Sequence, residues 1–237
     1  MPPETVAMIQ SSYVPWKGYF DQINMADLFV FYDDVQYTKD DWRNRNRIKT
    51  RHGLRWITVP CGSGIDRRIC DVRIEHAHWQ RKHWELIRHS YHRAAGFERF
   101  RPLLEELYLG REWVSLSELN QTFIRTLCRE ALGIPTAFAD SRDYDLPPGL
   151  EREQRWLDLL RQTGARNFVI GPAARDYLAD DKLREIEASG LNLVWMDYEG
   201  YPEYRQLFPP FEHRVSILDL LCNEGEDARR FLKSTGG

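Results

Sequence analysis

MIQSSYVPWKGYFDQINMADLFVFYDDVQYTKDDWRNRNRIKT, residues 8–50, is the stretch whose reading decides the fold. Val6–Gln10 is short and apolar and predicts a buried strand. From Pro15 to Met25 the large side chains Trp16, Tyr19, Phe20 and Ile23 recur at three and four residues, the period of a helix with one apolar face. Leu28–Tyr32 is apolar throughout, as a parallel strand covered on both faces is. Strand, helix and strand in that order form a βαβ unit, whose crossover is almost always right-handed. The two strands end on Gln10-Ser11-Ser12-Tyr13 and on Asp33-Asp34. Open α/β sheets hold ligands beyond the carboxyl ends of their strands. These polar ends therefore mark the candidate site.

Working outward, Arg43, Arg45, Arg47, Lys49 and Arg51 stand at spacing two. In an extended chain they share one face, and Trp42, Asn44, Asn46 and Ile48 share the other. Guanidinium forks suit phosphate or carboxylate, and amides suit sugar hydroxyls or base edges. A charged edge strand also accounts for the outer arginines, whereas Trp42, Arg43, Asn44 and Asn46 are expected to face a ligand. Asp33 and Asp34 suit hydrogen bonding to a sugar or amine, or general-base work. Strand neighbours point opposite ways, so one of the two is expected to face the site. A lone carboxylate pair is a weak ion cage, and no metal is expected.

Farther on, Arg55–Val59 and Cys70–Ile74 predict short strands around the turn Cys61-Gly62-Ser63-Gly64. Three helices are predicted over 78–91, 97–109 and 115–132, the last closed by Gly133 and Pro135. On the first, Trp79, His83, Leu86, Ile87 and Ser90 share a face. His83 thus turns inward, as a core histidine or as a base reaching the site. A strand at Thr136–Ala139 precedes a Pro/Gly linker at 145–149, a possible sub-boundary. The alternation then resumes: helix 151–163, strand 167–170, helix 180–188, strand 191–195, and terminal helices at 217–221 and 226–232. Gly171-Pro172-Ala173-Ala174 follows the 167–170 strand, and small residues there let a ligand approach backbone N–H groups. The turn is neither a P-loop nor a dinucleotide glycine motif. The expected fold is one α/β domain over 1–237, with a mostly parallel Rossmann-like sheet and a helical insertion at about 78–132.

The 237 residues suffice for a sizeable core. A net charge of −3 gives no general attraction to DNA or to an anionic membrane, so any basic site is local. No apolar run is long enough to span a bilayer, and no signal peptide is visible. Cys61, Cys70, Cys128 and Cys222 form no CxxC pair, which predicts free thiols and a cytoplasmic location. Nucleophile elbow, Cys/His pair, kinase and zinc motifs are all missing from the sequence.

QSSYVPWKGYF (10–20), ADLFVFYDDVQYTKDDWRNRNRIKT (26–50), Trp79 with Lys82-His83, GPAARDYL (171–178) and SILDLLCNEG (216–225) resemble, in this order, the WbqC-like family. The resemblance covers nearly the whole chain. It implies a place in bacterial O-antigen or related polysaccharide synthesis, and transfer of glycine or another acyl group onto an amino sugar. It implies Asp33, Asp34 and His83 as catalytic candidates. The binding candidates it implies are Tyr13, Trp16, Lys17, Tyr19, Gln36, Tyr37, Trp42, Arg43, Asn44, Arg45, Asn46, Lys82, Gly171 and Pro172; Gln10, at the end of the first strand, and Lys49, in the cationic segment, join them from the residues themselves. The acyl donor would be a CoA thioester or an aminoacyl-tRNA, and the acceptor a sugar-like or other small amine. Family members usually read Gln-Pro where this chain has Gln10-Ser11, which puts the local turn in question. The alternatives are a non-catalytic module that binds a nucleotide-sugar or aminoacyl-tRNA, and a nucleotidylyltransferase-like enzyme. A looser similarity to nucleotidylyltransferases lies in the opening strand, turn, helix and strand. The histidines of their HxGH-type turn are missing from Pro15-Trp16-Lys17-Gly18-Tyr19, which disfavours adenylyl transfer.

Overall fold

The computed structural model describes residues 2–76, 78–147, 149–176, 183–184, 186 and 188–235, with the side chains of 152, 153 and 176 left aside. Its strands are β1 (Thr5–Ile9), β2 (Leu28–Phe31), β3 (Arg45–Thr50), β4 (Gly53–Thr58), β5 (Ala137–Asp140), β6 (Asn167–Ile170) and β7 (Asn192–Trp195). Its α-helices are α1 (Lys17–Asn24), α2 (Trp79–Tyr91), α3 (Phe97–Leu109), α4 (Leu116–Thr126), α5 (Arg152–Thr163) and α6 (Ile217–Glu224). The chain divides into two compact units. One comprises Met1–Ile9, Gln22–Tyr32 and Pro135–Glu199, the other Gln10–Asp21, Asp33–Ile134 and Gly200–Gly237.

The first unit is built on a five-stranded sheet, order β5-β2-β1-β6-β7, in which every pairing is parallel. Counted along the sheet's own strands this is 3-2-1-4-5, the doubly wound Rossmann-like arrangement, whose order reverses between β1 and β6. The continuous apolar runs explain it. Val6, Ala7, Phe29, Val30, Phe31 and Val169 are all fully buried, so both faces of the central strands are covered. Phe31 and Phe138 stack across the β2–β5 pair at 5.6 Å. Gln22 fixes the end of α1 by donating to the Val169 carbonyl (3.0 Å). Helix α5 closes on Gly164, whose φ of 71° is a left-handed cap that glycine adopts without strain. The 145–149 linker lies in this unit. The helix expected at 180–188 falls largely outside the described residues.

The second unit holds the predicted helical insertion and an antiparallel hairpin of β3 and β4, paired Asn46 to Ile57 and Arg47 to Trp56. Trp84 stacks on Phe97 (6.2 Å, 19°), joining α2 to α3. Ser115 caps α4 by accepting from the Glu118 N–H (3.3 Å). The helix expected over 115–132 is two windings, α4 and then a π-helical turn at Leu127–Ala131. The strand expected at 70–74 is a 3-10 turn at Ile69–Asp71 followed by a single bridge from Arg73 to Ser115. Its N–H groups explain the difference: Ile69 donates to Val35 (2.9 Å) and Cys70 to Asp33 (2.8 Å), so the segment follows the 33–37 loop instead of pairing with β4. The expected helix at 226–232 is a 3-10 winding, Gly225–Phe231.

Candidate functional site

The site grows from one short segment of the second unit, Gln10–Val14. Val14 has φ 36°, a conformation that a β-branched side chain adopts only under strain. Such strain costs on the order of 1–3 kcal/mol and persists only where its surroundings over-determine it. Here they do. Asn46, on the inward face of β3, donates its amide to both the Tyr13 and the Val14 carbonyls (3.2 and 2.9 Å). The Tyr13 N–H donates to the Trp42 carbonyl (2.9 Å). Arg43 donates to the carbonyls of Gln10 (2.9 Å) and Ser11 (3.3 Å), and Tyr19 adds a bond to Gln10 (3.1 Å).

Asp33 anchors the same segment. It is fully buried; it accepts from the Ser11 N–H (2.7 Å), the Ser117 hydroxyl and the Gln121 amide (3.1 Å). Burial raises its pKa and these three bonds oppose the rise. With both oxygens engaged, Asp33 is built to position the turn. Its neighbour Asp34 is half-buried. Asn120, from α4, donates to the Arg43 carbonyl (2.8 Å) and the Ser11 hydroxyl (3.3 Å). Ser117, Asn120 and Gln121 share one face of α4 at spacings of three and four. That spacing is the one signal in the sequence that could have pointed to them.

The Tyr13 side chain carries the third set of contacts. Its hydroxyl bonds Nδ1 of His83 (2.9 Å) and the hydroxyl of Tyr108 (2.7 Å), and Trp79 stands edge-on to its ring (6.1 Å). Burial brings the His83 pKa down to about 4, opposed by a backbone bond at Thr58, so the imidazole is neutral near pH 7. Burial likewise pushes the Tyr13 and Tyr108 hydroxyls up, so both stay protonated. Four buried polar atoms on residues that hold this segment or adjoin them have no hydrogen-bond partner: Oδ1 of Asn44, Oδ1 of Asn120, Nε of Arg43, which lies 4.0 Å from an Asp41 carboxylate oxygen, and Nε1 of Trp79. Two accept and two donate. Unmet buried groups of both kinds suit a small ligand that carries an N–H or O–H beside a carbonyl or carboxylate.

The remaining expected residues fall elsewhere. Lys17 is buried; its ammonium donates to the Pro202 carbonyl (2.7 Å) and lies 5.2, 5.1 and 5.9 Å from the rings of Tyr201, Tyr204 and Phe211. Burial lowers its pKa to about 8 against the pull of Asp21, Glu203 and Asp219. Lys49 donates to Gln206 (2.7 Å), and burial lowers its pKa too. Buried Asp219, which the sequence did not single out, accepts from Tyr91 (2.9 Å), Tyr204 (2.7 Å) and Gln206 (2.8 Å). Half-buried Trp16 packs on Tyr201 (5.5 Å) and over Gly18, where a Cβ would meet its ring at 2.2 Å. Tyr37 is buried under Arg67 with its hydroxyl unpartnered. Gln36 and Lys82 are exposed. Gly171 and Pro172 belong to the first unit, at the carboxyl end of β6, where a Cβ on Gly171 would meet the Tyr198 hydroxyl at 3.3 Å.

Trp42 departs from its expected face. Residues 41–44 form a turn, with the Asn44 N–H donating to Asp41 (3.3 Å), so strand alternation begins only at Arg45. Asn44 and Asn46 point inward. Trp42 joins Arg45, Arg47 and Trp56 on the outward side, with its ring 5.7 Å from that of Trp56. Among the described residues no group of three or more His, Cys, Asp or Glu could hold a metal, and no helix is long and apolar enough to cross a membrane.

The chain belongs to the WbqC-like protein family, which it matches over residues 10–231. It is 42% identical over 230 residues to the uncharacterized protein Rv1507c of Mycobacterium tuberculosis (strain ATCC 25618 / H37Rv), covering 96% of this chain and 97% of that one. No solved structure matches it.

Proposed function

We propose that this chain is a transferase that moves a glycyl or other acyl group onto the amino group of a sugar-like acceptor in polysaccharide or specialised-metabolite synthesis. The observation that carries the reading is the strained Gln10–Val14 turn, together with two buried amide oxygens and two buried N–H groups that lack hydrogen-bond partners on the residues that hold it or adjoin them. Strained backbone concentrates at functional sites. The unmet pairs suit an amine or hydroxyl on one substrate and a carbonyl on the other. Asn44 and Asn120 would accept from the acceptor amine, and Arg43 and Trp79 would donate to the acyl oxygen; the amine nitrogen bonds the acyl carbon as the donor's thioester C–S or ester C–O bond breaks, and the thiol or RNA hydroxyl leaves with a proton. An amine attacks only after losing its proton, and Asp34, half-buried beside Asp33 at the end of β2, is the carboxylate assigned to take it.

The test is to incubate the purified protein with an amino sugar and either an acyl-CoA or an aminoacyl-RNA, and to follow the acceptor by mass spectrometry. A gain of the acyl mass is expected. Asp34→Asn should lower turnover by a factor on the order of 100 or more while substrate binding persists. Near-normal turnover in that variant removes Asp34 as the base. A second reading, a binding module that feeds a partner enzyme, draws on the His83 pKa of about 4, far below the range useful to a base at neutral pH. Tight binding of both substrates with no product would favour it.

A further inference from the structure

The outward face of the β3–β4 hairpin carries chemistry that the buried turn does not use. Trp42 is 42% exposed and Trp56 47%. The Arg45 guanidinium lies over Trp56 at 4.4 Å and that of Arg47 at 5.6 Å. A guanidinium held over an indole is pre-organised, and Arg47 spends one N–H on the Arg214 carbonyl (2.9 Å) and Arg45 one on Asp40, of the five that each guanidinium carries. Every residue of β4 except Ile57 is exposed. Between Trp42 and Trp56 stand six cations, Arg43, Arg45, Arg47, Lys49, Arg51 and Arg55, and no acid, in a chain whose net charge is −3. Arg43 and Lys49 are buried, Arg45 and Arg47 half-buried, and Arg51 and Arg55 exposed. Asp40, 3.4 Å from Arg45, is a solvated partner that salt screens.

We infer that this face docks the unpaired end of an RNA, with bases stacking on the Trp42–Trp56 pair and phosphates held by Arg45, Arg47 and Arg51. The form of the face argues for a polymer. Small-molecule sites are concave and enclose most of their ligand, whereas this one is an open strand surface with tryptophans at its edge. Aromatic platforms set among cations are how single strands are bound without reading their sequence. The local excess of positive charge selects a phosphate backbone over a neutral glycan. The inference rests on the proposed transfer only for its purpose, an aminoacyl donor delivered on RNA. Docking itself needs no turnover and can be measured alone.

The experiment is fluorescence anisotropy with a labelled single-stranded RNA of about twelve nucleotides, repeated over a salt series, using the full chain. Wild type is expected to bind with an affinity that falls as salt rises. Trp56→Ala should weaken binding about tenfold or more. Arg45→Gln should lower the salt slope by about one. Arg99→Gln, on the exposed side of α3, should change neither. Trp56→Phe, which keeps a ring, should retain most of the affinity, and thermal melts establish that each variant is folded. Unchanged affinity in a folded Trp56→Ala variant, equal binding of the fully paired duplex, or binding of a neutral oligosaccharide in place of RNA would each overturn the inference. A transferase without RNA affinity would leave the proposed reaction standing with a different donor.

Discussion

Asn46 and Arg47 are neighbours on β3 and serve opposite sides of the hairpin. Asn46 points inward, 3% exposed, and spends its amide on two main-chain carbonyls of a strained turn. Arg47 points outward over Trp56 and gives one N–H to the Arg214 carbonyl (2.9 Å). Period-two alternation lets one strand carry two jobs, clamping a buried turn and presenting aromatic and cationic groups to solvent. The inward face holds its groups by low exposure and obligatory hydrogen bonds. The outward face holds its groups by stacking and by hydrogen bonds at part-exposed side chains, where each contact contributes little. Substitutions on the two faces should therefore separate cleanly in size and in kind.

The largest effect is expected on the inward side. Asn46→Ala leaves the Tyr13 and Val14 carbonyls without their donor and frees a turn that is unfavourable by itself. An unsatisfied buried group costs about 1–3 kcal/mol, so two together predict a loss of about 3 kcal/mol or more in denaturant unfolding. A loss under about 1 kcal/mol would show that the turn is held from elsewhere, and the contrast between the faces would weaken.

His83 comes next, and its effect depends on pH. A folded-state pKa of about 4, against 6.5 when unfolded, means that the unfolded chain takes up the proton first as pH falls. The stability tied to neutral His83 is present above pH 6.5 and is lost on the way down through pH 4. The gap corresponds to about 3 kcal/mol. Asp33 and Asp219 run the other way. Burial raises both, so their contribution is present below the usual carboxylate range and is lost as pH rises through the folded values. The informative quantity is therefore a difference: wild type minus His83→Gln, measured by denaturant unfolding at pH 7, 5.5 and 4. Wild type should lose about 3 kcal/mol relative to the variant across that range. A flat difference would mean that His83 titrates as an exposed imidazole does.

The parallel sheet was legible in the sequence because fully buried strands leave an unmistakable mark. Val6–Ile9, Leu28–Phe31 and Phe168–Ile170 are unbroken apolar runs between polar ends. The hairpin was harder. β3 reads Arg-Asn-Arg-Ile-Lys-Thr, with one aliphatic side chain to show its period, and its alternation starts after a turn that hydrophobicity does not reveal. That is why Trp42 was expected beside Asn44. The candidate site was legible where the chain itself is unusual, at Tyr13, Asp33, Arg43 and Asn46. It was illegible where ordinary residues arrive from afar. Ser117, Asn120 and Gln121 reach Ser11 and Asp33 across more than eighty residues, and Tyr108 reaches Tyr13 across 95. Nothing local distinguishes a helical Asn that anchors a turn from one that faces water.

The smallest expected effect is the one that separates the faces. Arg45 stacks on Trp56 at 4.4 Å and pairs with solvated Asp40. An exposed cation–π contact contributes about 0.5–1 kcal/mol and an exposed ion pair less than about 1. Arg45→Gln keeps the side chain's length and much of its apolar stem, so its unfolding free energy should stay within about 1 kcal/mol of wild type. A larger loss would mean that Arg45 belongs to the same structural clamp as Asn46, and the outward face would then be scaffold. A negligible loss would leave its guanidinium free for a partner, because a cation that contributes little to folding can give its edges to an incoming phosphate without disturbing the turn held one residue away.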